Sequence, residues 1–184
     1  MKKKIILLTV FTALLSVCIF NTRGHCDFFS NNRFTHASKT FSIIPPEGFK
    51  QILPREDGAQ FVNQNDSSFI DISFSFAGEK FSDSQLIGRF DDEAFRKEFI
   101  AGLEQNMSSM NSEVTSSRKI SVAGIPAWEF IAEGIMARGI FENRFIIFYK
   151  NKKSFFVFLG AYKDILDGKR IKLFEESLST IDVR

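Results

Sequence analysis

The chain has 184 residues, 44% of them apolar and 25% charged, which is room for one domain with an ordinary globular core. The formal charge of +2 is unevenly placed. Lys2, Lys3, Lys4 and Arg23 supply four of the 24 basic residues, so residues 25–184 carry 20 basic against 22 acidic side chains, a formal −2. That balance leaves no charge excess that would recruit nucleic acid, and 23 phenylalanines against 2 tyrosines and 1 tryptophan describe a packing load rather than an aromatic ligand cage.

Residues 1–24 read as a signal peptide. Lys2–Lys4 form its positive start and Ile5 to Val17 its uncharged apolar stretch. The stretch is short for a membrane span, which needs roughly 20 apolar residues. An uncleaved N-terminal anchor is the alternative. Small residues suit a cut before His25 or before Ile19. Leu15-Ser16-Val17-Cys18 also resembles a lipobox that would place a lipid on Cys18, although Val17 departs from the usual small residue. The two cysteines, Cys18 and Cys26, both precede the domain, so stability is expected from the core without disulfides. Residues 25–38 are polar and irregular and read as a flexible tether, with the domain over residues 39–184.

Thr40 to Ile44 alternates and stops at Pro45-Pro46-Glu47-Gly48, a first strand ended by a turn. Phe49 to Leu53 reads as a short packed segment and Gln60 to Asn63 as a second strand. Ile70, Ile72, Phe74 and Phe76 then alternate with Asp71, Ser73 and Ser75, which predicts a strand with one buried face. From Ser84 to about Met110 the period becomes helical. Phe95, Phe99, Leu103 and Met107 form the stripe, and the acids near Asp91 mark its start. A strand meander follows: Val114 to Val122, then Trp128, Phe130 and Ala132 alternating with Glu129 and Glu133. Gly134 to Gly139 reads as a connection, Ile140 to Tyr149 as a strand, and Phe155 to Ala161 as a central strand apolar on both faces. Ile171, Phe174, Leu178 and Ile181 predict a closing helix. Strands, a helix, four strands and a helix, with no strand–helix alternation, predict an α+β domain with one antiparallel sheet flanked by helices.

Most chemistry is excluded by absence. His25 and His36 are the only histidines and both precede the predicted domain, so no histidine-assisted nucleophile and no zinc motif can form within it. No phosphate-binding glycine loop occurs, and no cofactor or metal is called for. Glu129 and Glu133 share one strand face and are the acid-pair candidates, since paired carboxylates do acid/base work when an apolar cleft raises one pKa. A solvated strand face is the plainer reading. Lys150, Lys152 and Lys153 form a small basic turn that suits a lipid headgroup or an acidic partner, and equally a solvated loop that discourages edge pairing.

Phe41-Ser42-Ile43-Ile44-Pro45-Pro46-Glu47-Gly48-Phe49, the middle helix, the turn Val122-Ala123-Gly124-Ile125-Pro126-Ala127 and Phe174-Glu175-Glu176-Ser177-Leu178 together resemble the PsbP-like superfamily, which includes the photosystem extrinsic protein and DcrB-type bacterial lipoproteins. The resemblance covers roughly residues 39 to 184. It implies an α/β/α sandwich around a twisted antiparallel sheet, in exported, often membrane-associated proteins that bind or stabilise partners. It carries over no functional residue.

The expectation is therefore an exported, non-enzymatic module of the cell envelope, periplasm or exterior. It would bind a protein partner through a sheet face or the groove beside the middle helix, with membrane association through the N-terminus. A carboxylate-based hydrolase using Glu129 and Glu133 and a carrier of a small apolar ligand are the alternatives.

Overall fold

The computed structural model describes residues 28–30, 32–108 and 111–184. The predicted signal peptide, Cys18, His25 and Cys26 lie outside the described residues. The strands are β1 (Phe28–Ser30), β2 (Arg33–Thr35), β3 (Phe41–Ile43), β4 (Phe49–Arg55), β5 (Gly58–Asn63), β6 (Phe69–Phe76), β7 (Glu113–Val122), β8 (Ile125–Met136), β9 (Gly139–Lys150), β10 (Lys153–Tyr162) and β11 (Asp182–Val183). The helices are α1 (Asp83–Gly88), α2 (Glu93–Asn106) and α3 (Gly168–Ser179), with one 3₁₀ turn at Arg89–Asp91 between α1 and α2.

Two antiparallel meanders, β4-β5-β6 and β7-β8-β9-β10, join into one seven-stranded sheet of order β4-β5-β6-β10-β9-β8-β7. The seam is β6 against β10, with Phe74 opposite Phe155 and Ile72 opposite Val157. The connection from β6 to β7 must cross from the middle of the sheet to its far edge, and α1 and α2 make that crossing over one face. Asp92 caps α2 by accepting hydrogen bonds from the Ala94 and Phe95 amides, which satisfies donors the first turn leaves free. The helix lays Phe99, Leu103 and Met107 on Trp128, Phe130 and Ile147 of β8 and β9.

The opposite face carries the larger core. Phe61, Ile70, Ile72, Phe148, Phe155 and Val157 of the sheet meet Phe34, Phe41 and Ile43 of a second sheet, β1-β2-β3-β11, and Phe174 and Leu178 of α3. Alternation along β10 explains its two apolar faces. Phe155, Val157 and Leu159 serve this core, while Phe156 packs against the α2 side. Its place in the middle of the seven strands agrees with the sequence expectation.

Several expectations need correction. Residues 28–38 are not a tether. They form β1 and β2 and place Phe34 and His36 inside the fold. The short polar stretches hid one buried phenylalanine, Phe34, which pairs with Ile43 of β3. His36 is held by Ser38 Oγ at Nδ1, 2.7 Å, and by the Arg55 carbonyl at Nε2, 2.7 Å. Phe76 shares a face with Phe74 but is 68% exposed, because that face of the sheet is no longer covered at its position. Gly134 to Gly139 is strand rather than connection as far as Met136, which pairs with Gly139 across a tight turn. The closing helix stops at Ser179, and Ile181 packs from the segment leading into β11.

On the α2 face, Gly160 sits beneath the stacked rings of Phe69 and Phe141, where a Cβ would come within 2.5 Å of Phe69 and 2.8 Å of Phe141. Next to it on β9, Asn143 is fully buried and neither amide atom has a hydrogen-bond partner among the described residues. An unpaired buried amide costs about 1–3 kcal/mol. Asn143→Leu, of similar volume, is expected to raise stability by about 1–3 kcal/mol, read as a higher urea midpoint. A lowered midpoint would show that the amide is satisfied in solution.

Candidate functional site

Because α2 lies over the β7–β9 half of its face, the β4–β6 half of that face has no helix above it. A recess of about 200 Å³ opens there. Phe99 and Leu103 of α2 form one wall, and Phe145, Phe156 and Phe158 form the floor. The floor is held by ring packing, with Phe145 stacked on Phe158 at 4.5 Å and Phe69 edge-on to Phe158 at 5.0 Å.

The other end of the recess is polar, lined by Gln60, Asp71, Ser73 and Arg55. Arg55 Nη1 donates to Asp71 Oδ2 at 2.7 Å and its Nε donates to Asp57 Oδ1 at 3.2 Å. The strand register dictates this cluster. Gly58 stands opposite Ser73 and Gln60 opposite Asp71, while Arg55 stands opposite Gly58 on the edge strand. The period-two pattern that buries Ile70 and Ile72 on one face therefore turns Asp71 and Ser73 toward the recess.

Burial raises the Asp71 carboxyl above its ordinary value, and the Arg55 guanidinium opposes that rise without cancelling it. The folded protein thus binds this proton more tightly than the unfolded chain does. The contribution favours the fold in acid and fades as pH rises from the ordinary 3.8 through the raised native value. Asp71→Asn should flatten that part of the stability curve, measured as urea midpoints from acid to neutral pH. An unaltered slope would contradict the burial of the carboxylate.

The acid-pair candidates lie elsewhere, on the sheet face opposite α2. Glu129 is 3% exposed, which contradicts the solvated face expected from its pattern. Arg118 Nε donates to its Oε2 at 2.5 Å and Arg144 Nη1 to its Oε1 at 3.5 Å. Glu133 instead accepts from Lys163 Nζ at 2.6 Å, which raises the Lys163 amine. Each carboxylate has its own cation, and neither lines the recess. Among the described residues no group of three His, Cys, Asp or Glu side chains is placed to hold a metal ion. No helix among them is long and apolar enough to cross a membrane.

Sequence reasoning pointed at a groove beside the middle helix but missed Arg55, Gln60 and Ser73. Their only signal was polarity at alternate positions, which a wet strand face shows equally.

The architecture defines the class: an α+β sandwich in which one antiparallel sheet is covered by a helix on one side and by a helix and a small sheet on the other. No family model matches the sequence, and no curated protein matches it. Solved structures share the architecture. The cyanobacterial PsbP (CyanoP) of Synechocystis superimposes with a TM-score of 0.64 at 11% identity, over 89% of this chain and 100% of that one. The Ran-binding protein Mog1p of Saccharomyces cerevisiae gives 0.53 at 9% identity, over 85% and 96%. A Bacteroides thetaiotaomicron protein gives 0.54 at 13%, over 83% of this chain and 48% of its own. The chain has a PsbP-like fold, in agreement with the resemblance read from its sequence.

Proposed function

We propose that this domain is an exported, non-enzymatic accessory module of the cell envelope that seats an apolar side chain of a protein partner in the recess beside α2. The carrying observation is the recess itself, with phenylalanine walls at one end and an Arg55–Asp71 pair at the other. Its size chooses between occupants. Whole small ligands occupy pockets of about 300–1,000 Å³, and this one holds about 200 Å³, which suits a single large side chain. Gln60 and Ser73 at the rim supply hydrogen-bonding groups for the partner's backbone. The carboxylate hydrolase reading has less support, since Glu129 and Glu133 are separately neutralised. Extracytoplasmic placement rests on the leader.

The test is photo-cross-linking in the native host. A photoreactive residue at Ser73 should yield one discrete protein adduct, and the same residue at Glu98, on the exposed side of α2, should not. An adduct of only a small molecule at Ser73 would favour the carrier. The same adducts at both positions, or none, would remove the recess as a binding site.

A further inference from the structure

We propose that the end of the sheet formed by the β9–β10 turn and the β6–α1 loop docks on an anionic lipid bilayer. The β9–β10 turn presents Lys150, Lys152 and Lys153. The structure adds neighbours that the sequence keeps far away. Phe76, at the end of β6, stands directly opposite Lys153 and is 68% exposed. Phe81 in the following loop is 42% exposed, and Lys80 Nζ lies 5.5 Å from its ring centroid.

This loop is fastened to the lysine turn. The Ala77 amide donates to the Lys152 carbonyl at 2.9 Å, and the Asp83 carboxylate accepts from the Asn151 and Lys152 amides at 2.9 and 3.2 Å. Lys153 Nζ reaches Thr40 Oγ1 at 3.4 Å, which brings the β2–β3 turn with exposed Lys39 to the same end. Arg184 arrives there too, its amide donating to the Thr40 carbonyl at 3.0 Å.

The charges are unequal. Lys39, Lys80, Lys150, Lys152, Lys153 and Arg184 face Glu79, Asp83 and Asp182. Of these acids, Glu79 pairs with Lys152, Asp182 pairs with Arg184, and Asp83 holds the turn backbone. Glu56 and Asp57 of the β4–β5 turn stand at this end too, with the Asp57 carbonyl accepting from the Phe74 amide and the Asp57 carboxylate paired to Arg55. A domain whose formal charge is −2 thus keeps a small cationic excess at one end, around two exposed aromatic rings. Rings that enter the headgroup layer beside lysines that meet its negative potential are the chemistry of interfacial binding.

The chain path supplies a second argument. Phe28 pairs with Thr35, the last residue before the β2–β3 turn, so the first described residue stands at this end, one strand spacing of about 5 Å from it. The 27 residues before it include Lys2–Lys4 and the apolar run Ile5–Val17.

The opposite end of the sheet has exposed Ile135, Met136 and Ile140, beside which Arg138 pairs with Asp164 and Lys163 with Glu133. It serves as the control.

The experiment is co-sedimentation of the full chain with phosphatidylglycerol-containing vesicles and with vesicles of phosphatidylcholine alone. Each lysine near an anionic surface is worth about fivefold, so the triple change Lys80→Ala, Lys150→Ala and Lys152→Ala should weaken phosphatidylglycerol binding between about tenfold and a hundredfold. Phosphatidylcholine binding should stay as it was. Phe76→Ser with Phe81→Ser should weaken binding by about tenfold or more. Ile135→Ser with Ile140→Ser should leave it unchanged. All variants keep the N-terminal segment, so its contribution cancels. The proposal is overturned if the triple variant binds as the wild type does, which assigns binding to the N-terminal segment. It is also overturned if the wild type binds both vesicles equally, if the control pair loses as much as the patch pairs, or if no vesicle is bound, which leaves an acidic protein as the partner of the lysines.

Discussion

Arg144→Met is expected to destabilise the domain by about 3 kcal/mol or more, read as a lower urea midpoint. Arg144 is only 11% exposed and serves two carboxylates, Glu129 through Nη1 and Glu142 through Nε at 2.9 Å. Its loss leaves Glu129 buried with one remaining cation, Arg118, whose side chain is 57% exposed. Removing one member of a buried ion pair costs about 3–5 kcal/mol, because the survivor keeps its desolvation penalty without its partner. The retained Arg118 contact places the expectation at the lower end of that range. Glu129→Leu added to Arg144→Met should then restore at least about 1 kcal/mol, since the stranded charge is gone. A single change that costs less than about 1 kcal/mol would mean that Glu129 reaches water, and the acid-pair reading would regain its footing.

Gly58→Ala is the other large effect. A Cβ at Gly58 would lie 2.0 Å from the Ile72 carbonyl oxygen and 2.8 Å from Arg55 Nη2. A side chain can rotate away, but the carbonyl belongs to the β5–β6 ladder, so the strands themselves must part. Overpacking of a filled site costs about 1–3 kcal/mol, and backbone displacement places this change at the upper end. The local consequence is specific. Gly58 pairs with Ser73, and Arg55 passes over it to reach Asp71, so the polar end of the recess should lose its geometry. The expected readings are a lower denaturation midpoint and a lost cross-link from Ser73 at temperatures where the fold persists. A retained midpoint would show that β5 and β6 are not so closely approached.

The difference between these residues and those read correctly from the sequence is one of range. Ile70, Ile72 and Phe74 alternate within one strand, and Phe99, Leu103 and Met107 repeat within one helix, so a face could be assigned from spacing alone. Asp92 marks its helix start by local hydrogen bonds to the next residues. Glu129 obeyed the same alternation as a wet residue and was placed on the right face. Whether that face is wet depends on Arg144 from one neighbouring strand and Arg118 from the other. Residues 28–38 failed for a related reason. Strands of three residues have too few positions to show a period, and they are specified by pairing with β3.

By itself the sequence determined the types of the longer elements, the antiparallel character and the central place of Phe155–Ala161. These follow from local periodicity, capping and residue inventory, which need no partner strand. Tertiary structure alone decided that β6 joins β10, that α2 covers only half of its face, and that Phe76 and Phe81 meet the β9–β10 lysines. Those outcomes depend on contacts between residues far apart in the chain, where burial is set by what the crossover leaves uncovered rather than by any residue's own preference.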